Sequence, residues 1–463
     1  MATEQHAVPC LGSGLVKGLE SRLENGVRGK RLFAGLVGVE KATVEDVWFE
    51  DGDARPALVV AVRAWKRQQS RCGICGRRCR GYDPGRGRRR WRTLDLGTVV
   101  AFVEADAPRV RCPDHGVVVA SVPWAAHGAG HTRVFDQQVS WLAVHTSKTA
   151  ITQLMRVSWR TVGSIVTRVL AGAERAAAQT GLDRLDGLRR IGIDEISYRR
   201  GQKYVVVVVD HDTGRLVWAG EGRTKKTVRA FFDELGDRSG LISHVSADGA
   251  DYIGQVVAER CPGAVRCADP FHVVSWATDA LARVRIDAWN QARVAMRSEP
   301  VRVRGWHEDR QPLTPGRDTA RQLRGSRFAL VKNPEDLTEK QQTKLDWIAA
   351  NDPVLWRAYQ LKEALRLVFR LPPAEAPHAL DGWIRWARRC RIPAFVDLQR
   401  RIARHRDQIL AAIEHHVSNA LVESVNTKIR LLTRIAFGFH SAQALIAIAM
   451  LSLGPHRPAL PGR

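Results

Sequence analysis

From residue 188 onward the apolar positions stop repeating at helical spacing and gather in short continuous runs. Gly192-Ile193-Asp194-Glu195-Ile196-Ser197-Tyr198 leads through a turn into Tyr204 and the valines Val205 to Val209. Runs rich in β-branched residues, bounded by glycine and charged residues, predict buried strands. The pattern places strands over 189–197, 203–210 and 215–219. A helix over 227–235, a strand over 241–247, a helix over 252–260 and a strand over 264–268 follow. Three meandering strands and then alternating helix and strand predict a mixed sheet covered by helices. Upstream, loose alternation over 45–65 predicts a hairpin around Asp51-Gly52-Asp53, and residues 1–44 carry little signal. Apolar spacing of three and four (Val139, Leu142, Ala143, Ile151, Leu154, Val162, Ile165, Val166) predicts helices over 136–146, 149–155 and 159–170. Residues 272–415 read as largely helical, and further helices are expected over 418–432 and 440–453.

A buried apolar strand has no structural use for a carboxylate, because an unpaired buried charge is expensive. Asp194 therefore requires a hydrogen-bond partner or a cation. Asp248 follows the strand over 241–247, where Gly249 permits a sharp turn out of the sheet. Glu423 lies on the helix after Ser418. That helix is expected to bury Leu421, Val425, Ile429 and Leu432, with Glu423 and Asn426 projecting from another side. Carboxylates converging from two strand ends and a helix can hold two hard divalent cations about 4 Å apart, the arrangement of two-metal phosphoryl transfer. Other acids read as structural: Asp210 and Asp212 in a turn, Asp251 as a helix cap, and Glu195 on the strand face opposite Asp194.

Cys72-Gly-Ile-Cys75 and Cys112-Pro-Asp-His115 each place two ligands on a tight knuckle. Together they supply the four-coordinate shell of a structural Zn2+ ion, with no open position for catalysis; Cys79 is a spare thiol nearby. Between the knuckles lies a basic run that includes Arg88, Arg89 and Arg90, expected to contact phosphates. The helices over 136–170 fit a helix-turn-helix, with Ser158 capping the third helix and Arg160, Thr161 and Ser164 facing outward as a recognition surface.

Charge strengthens the nucleic-acid reading. The chain of 463 residues has 72 Lys+Arg against 48 Asp+Glu, a formal net charge of +24. Such an excess fits a polyanionic partner. No apolar run reaches the roughly 20 residues of a spanning helix, and Met1 to Cys10 lacks the blocks of a signal peptide. The expected location is the reducing cytosol, so the eight cysteines are not expected to form disulfides.

The segments Arg109-Val-Arg-Cys-Pro-Asp-His-Gly116, Gly192 to Tyr198, Val209-Asp-His-Asp-Thr-Gly-Arg215, Asp269-Pro-Phe-His-Val273 and Ser418 to Glu423 through Phe439 resemble bacterial insertion-sequence transposases of the ISL-three family. The resemblance implies a DDE catalytic core of RNase H-like fold, with Asp194, Asp248 and Glu423 as catalytic acids. It further implies Mg2+ or Mn2+ as cofactor and the terminal inverted repeats of the element as substrate. His272, in the Asp269-x-x-His272 signature, either contacts DNA or braces the helix start. The expected organisation is an extension over 1–44, a zinc-binding domain over 45–125, a helix-turn-helix over 130–180 and a core over 188–286. An all-helical insertion over 287–404 and final core helices over 405–455 complete it. Double-stranded DNA and a second copy of the chain are the expected partners. A competing reading is a DNA-binding regulator derived from a transposase and lacking catalysis; intact Asp194, Asp248 and Glu423 argue against it.

Overall fold

The computed structural model describes residues 27–51, 56–247, 251–298 and 315–462 as a mixed α/β protein. The chain divides into two compact units. One comprises residues up to Gly181 with 435–437 and 456–463; the other comprises 182–434 with 438–455. Among the described residues no helix is long and apolar enough to cross a membrane.

The first unit opens with helix α1 (Val27–Leu36) and strands β1 (Ala42–Glu50) and β2 (Ala57–Ala64), an antiparallel pair whose expected turn at 52–55 lies outside the described residues. With β4 (Arg88–Arg92) and β5 (Val100–Asp106) they form a sheet of order β1-β2-β5-β4. Phe33, Val37, Val39 and Val44 are buried against Leu58, Val60, Val62, Trp91 and Val103. The boundary expected at residue 44 therefore falls inside this core. A second sheet, β3 (Arg80–Asp83), β6 (Arg109–Cys112) and β7 (Gly116–Val119), adjoins the two cysteine knuckles.

Three helices follow: α2 (Arg133–His145), α3 (Lys148–Met155) and α4 (Trp159–Gln179). Their starts are set by hydroxyl caps, Thr132, Ser147 and Ser158, each accepting from a first-turn amide. Phe135, Val139, Ile151, Met155, Val162 and Ile165 are buried. Asp136, 3% exposed, accepts two 2.9 Å hydrogen bonds from Arg168 and ties α2 to α4.

The second unit is built on a five-stranded sheet of order β10-β9-β8-β11-β12. Strands β8 (Arg190–Arg199), β9 (Lys203–Asp210) and β10 (Leu216–Glu221) form an antiparallel meander. Strands β11 (His244–Ala247) and β12 (Val265–Ala268) run parallel to β8. Strand β11 is shorter than expected, because a 3-10 segment (Gly236–Leu241) precedes it: Gly236 takes a positive φ and Leu241 is 47% exposed. Helices α5 (Lys225–Leu235) and α6 (Asp251–Arg260) pack on one sheet face through Val228, Phe231, Phe232, Ile253 and Val256 against Ile191, Ile193, Val206 and Val208.

Helix α7 (Pro270–Ser298) runs unbroken across the boundary expected at 286–287. Helices α8 (Pro315–Arg324), α9 (Arg327–Val331), α10 (Glu339–Asn351), α11 (Pro353–Val368), α12 (Ala376–Arg389), α13 (Pro393–Arg404) and α14 (Arg406–Glu414) share one apolar core with it. Trp383 is buried there and donates to the Leu361 carbonyl, as a core tryptophan does. Helices α15 (Ala420–Ile435) and α16 (Ala442–Leu453) close the unit.

Helix α15 reaches the sheet face opposite α5 and α6 because β8 carries a glycine there. A Cβ on Gly192 would lie 2.3 Å from Val422 Cγ2 and 2.8 Å from His211 Nε2. Gly192→Ala should therefore destabilise the unit by about 1–3 kcal/mol through overpacking, read as a fall in the urea midpoint. An unchanged midpoint would mean that the helix can back away without loss.

Candidate active site and metal centre

Side chains alternate along a strand, so Asp194 shares with Gly192 the face that meets α15. It is 9% exposed. One carboxylate oxygen accepts from the Glu195 amide at 2.7 Å and the other from Asn426 Nδ2 at 2.7 Å. This alters the expected phase of α15: Val422, Val425, Asn426, Ile429 and Leu432 are buried, while Leu421 is 43% exposed. Asn426 does not project to solvent with Glu423; it turns inward because Asp194 needs a donor. Among the described residues its Oδ1, also buried, has no hydrogen-bond partner.

Glu423 is half-buried one turn before Asn426. Burial pushes its carboxyl up from the ordinary value, and the nearby Asp269 carboxylate pushes the same way, while His272 and Arg430 pull it back. Like charges crowded at a partly desolvated site are what a cation relieves. Strand β11 ends at Ala247, paired with Ile193, the residue before Asp194; Asp248 lies outside the described residues. Glu195 belongs to the other face, held by Tyr252 and Arg223.

A chain of buried polar groups lies in the same unit. His211 Nε2 and Ser246 Oγ are 2.7 Å apart, and the Ser246 hydroxyl donates to Asn419 Oδ1, which leaves the His211 N–H as the donor to Ser246. The Asn419 amide donates to Asp269 Oδ1 at 3.2 Å, and Asp269 Oδ2 accepts from both the amide (3.2 Å) and Nδ1 (2.7 Å) of His272. Ser246, Asn419 and Asp269 are nearly inaccessible. The start of α7 and the approach to α15 are thereby tied to strand β11, and His272 is engaged by Asp269 at the head of α7. Asn426, Asn419 and Ser246 carry no acid to mark them in the sequence. Their signal is a polar side chain recurring among apolar positions of a helix or strand.

In the first unit the ligand atoms of Cys72, Cys75, Cys112 and His115 all lie within 4.8 Å of one another. Cys75 and Cys112 sulfurs are 3.7 Å apart, and His115 Nδ1 is 3.5 Å from Cys112 Sγ and 3.8 Å from Cys72 Sγ. Tetrahedral coordination at about 2.3 Å puts sulfurs about 3.8 Å apart, so the donor set fits zinc. The knuckle depends on glycine: a Cβ on Gly73 would lie 2.5 Å from the Val119 carbonyl, and Gly76 has φ +71°. The Cys79 thiol instead donates to the Arg77 carbonyl.

The basic run is less available than its composition suggests. Arg90 donates to Glu50 and Glu104, and Arg88 pairs with Glu104 and Glu45. Arg89 donates to the Ala129 carbonyl and lies over the Trp91 ring. By contrast, Arg80 and Arg111 face each other across β3 and β6, both exposed. Like charges directly opposite are unfavourable unless an anion joins them. On α4, Arg160 and Ser164 are exposed, while the Thr161 hydroxyl is engaged with Ser158.

Residues 191–449 match a family profile described as a transposase, of the ISL3 group. Residues 120–170 match the helix-turn-helix domain of transposase family ISL3, and residues 68–115 match the zinc-finger of transposases IS204, IS1001, IS1096 and IS1165. The transposase for insertion sequence element IS1557 of two Mycobacterium tuberculosis strains is 58% identical over 441 residues, 94% of this chain and 98% of the relative. The transposase for insertion sequence element IS1001 of Bordetella parapertussis is 28% identical over 422 residues, 89% of this chain and 96% of the relative.

One prediction concerns the knuckles. The full-length protein should bind one Zn2+ per chain, and Cys112→Ala should abolish that binding and unfold β3, β6 and β7, because the metal supplies folding free energy that so small a sheet lacks. A preparation free of zinc with unaltered hydrogen-exchange protection over 71–120 would contradict this.

Proposed function

As the chain belongs to the ISL3 family of insertion-sequence transposases, we propose that its two units divide the work of DNA recognition and DNA chemistry. The protein is a DNA transposase, an enzyme of the DDE class with zinc-ribbon and helix-turn-helix domains.

The second unit is read as an RNase H-like core, interrupted by an all-helical insertion over roughly 287–404. The strand order β10-β9-β8-β11-β12, an antiparallel meander with two parallel strands beside it, supports the reading. Asp194, Asp248 and Glu423 are the proposed catalytic acids and would hold two Mg2+ or Mn2+ ions. The observation that carries this assignment is the buried Asp194 carboxylate at the docking face of α15, with Glu423 on the same helix as its donor Asn426. When bound, such ions activate an attacking water or 3′-hydroxyl and stabilise the leaving oxygen of an in-line displacement. The protein's part is positional. Asn426 fixes the plane of the Asp194 carboxylate, and the Ser246–Asn419–Asp269 chain fixes where α15 begins. His272 stays near Glu423 as a positive influence when protonated.

In the first unit, a structural Zn2+ held by Cys72, Cys75, Cys112 and His115 would stabilise the ribbon. Arg160, Thr161 and Ser164 at the start of α4 are the proposed readers of the terminal inverted repeats. Phosphate contacts are assigned to Arg80 and Arg111 ahead of Arg88, Arg89 and Arg90, whose donors already have intramolecular acceptors. A homodimer would hold two element ends, since joining paired ends requires two catalytic sites. Residues 1–44 in part, 45–125 and 130–180 then form one DNA-binding unit rather than separate domains.

The test uses the full-length protein, Mg2+ and a duplex bearing an element end. Asp194→Asn, Asp248→Asn and Glu423→Gln should each bind that end within about twofold of wild type and cut it on the order of a thousandfold or more slowly. The exposed Glu414→Gln should cut normally. Cleavage by Glu423→Gln at the wild-type rate would remove Glu423 from the site.

A further inference from the structure

The first turn of helix α7 presents a large apolar side chain that no core accounts for. Phe271, the second residue of that helix, is 64% exposed. Phe328 and Trp386 of the same unit are exposed too, so exposure alone distinguishes nothing; Phe271 differs in where it stands. Strands β11 and β12 are parallel neighbours with Ala247 opposite Ala268, and both end there. In open α/β sheets ligands bind outside the carboxyl ends of such strands. Asp269 follows β12 at that edge and caps α7, accepting from the His272 amide. Its other oxygen accepts from the Asn419 amide at the approach to α15. The first turn of α7 is thereby fixed relative to the helix that bears Glu423, and the charges of Asp269 and His272 are felt at Glu423. The Phe271 ring meets the His272 ring edge-on, with centroids 5.8 Å apart.

The acids beside this turn are recessed: Asp194 is almost fully buried and Glu423 half-buried. A phosphodiester reaches a recess only if its strand is drawn out of regular duplex geometry. Drawing it out breaks the stacking of a flanking nucleotide, which costs free energy. An aromatic ring at the opening can replace the lost neighbour, because every base has a π-face and stacking on an aromatic side chain tolerates any sequence. A phenyl ring carries no polar atom, so it supports a base without reading it.

We propose that Phe271 is a stacking platform for a nucleobase next to the scissile phosphodiester, holding that base out of the duplex stack while the phosphodiester lies at the acids. The proposal rests on the reading of Glu423 as a catalytic acid. The ring contributes binding and register; it makes and breaks no bond. The competing occupant is a second copy of the chain, against which an exposed apolar side chain would also pack.

Wild-type protein and Mg2+ first map the cut phosphodiester on an element end. Binding of full-length protein is then measured without divalent metal, to the intact end and to ends made abasic at the nucleotide on either side of the cut. Phe271→Ala and Phe271→Leu should each weaken binding to the intact end about tenfold, and Phe271→Trp should bind it as wild type does. On the end that lacks the stacked base, wild type, Phe271→Ala and Phe271→Leu should bind within about twofold of one another, since a ring and a base in contact are energetically coupled. Binding of the intact end by Phe271→Ala or Phe271→Leu as tightly as by wild type would overturn the platform. A Phe271→Ala penalty undiminished on both abasic ends would overturn it as well, and is what a contact between two copies produces. Cleavage by Glu423→Gln at the wild-type rate would overturn the reading of Glu423 and leave these binding ratios as they are, so the two failures are distinguishable.

Discussion

The second unit depends on the close approach of helix α15 to strand β8 at Gly192. There the missing side chain lets Val422 sit within van der Waals reach of the strand backbone. That contact brings Asn426 to hydrogen-bonding distance of Asp194 and makes the buried carboxylate tolerable. It also sets Glu423, one turn earlier, beside the polar chain from Ser246 through Asn419 to Asp269. A larger side chain on β8 would push the helix outward and separate Asn426 from Asp194. The site is thus built from elements distant in sequence, with Asn426 of α15 donating to Asp194 of β8 and Ser246 of β11 donating to Asn419.

Charge is distributed by a related rule. A net charge of +24 suits a DNA partner but opposes compactness, and the fold answers by pairing many arginines with carboxylates on neighbouring elements. The pairs of Arg88 and Arg90 with Glu45, Glu50 and Glu104 are one group, and those of Arg366 with Glu335 and Glu363 another. Exposed pairs of this kind add little stability individually. Their consequence here is selective: among the described residues Arg80 and Arg111, opposite each other across β3 and β6, are exposed and have no carboxylate partner, unlike Arg88 and Arg90.

Much of the architecture was legible in the chain. The valine run of β9, the Ser158 cap of α4 and the spacing of the cysteine knuckles are local signals, and each corresponds to a described element. What escaped was set across elements. Leu421 and Val422 are both apolar, so periodicity alone could place either one inward; Gly192 on a distant strand decides for Val422. Asn426 reads as projecting with Glu423 from another side of the helix until Asp194 is placed opposite it. The basic run over 88–90 looks free because its carboxylate partners lie on other strands, visible only through sheet register. Contacts across the positions 44 and 286 are hidden for the same reason: Phe33 joins a core formed by later strands, and α7 continues through a position where composition changes but the helix does not.

In the proposed mechanism, docking of α15 on β8 unites Asp194 and Glu423 in one divalent-metal site. Electron paramagnetic resonance of Mn2+ bound to the zinc-loaded, full-length protein on an element end tests it most directly. Asp194→Asn and Glu423→Gln should each lose the strongly bound Mn2+ while DNA remains bound. Retention of the wild-type Mn2+ signal in either variant would contradict the claim.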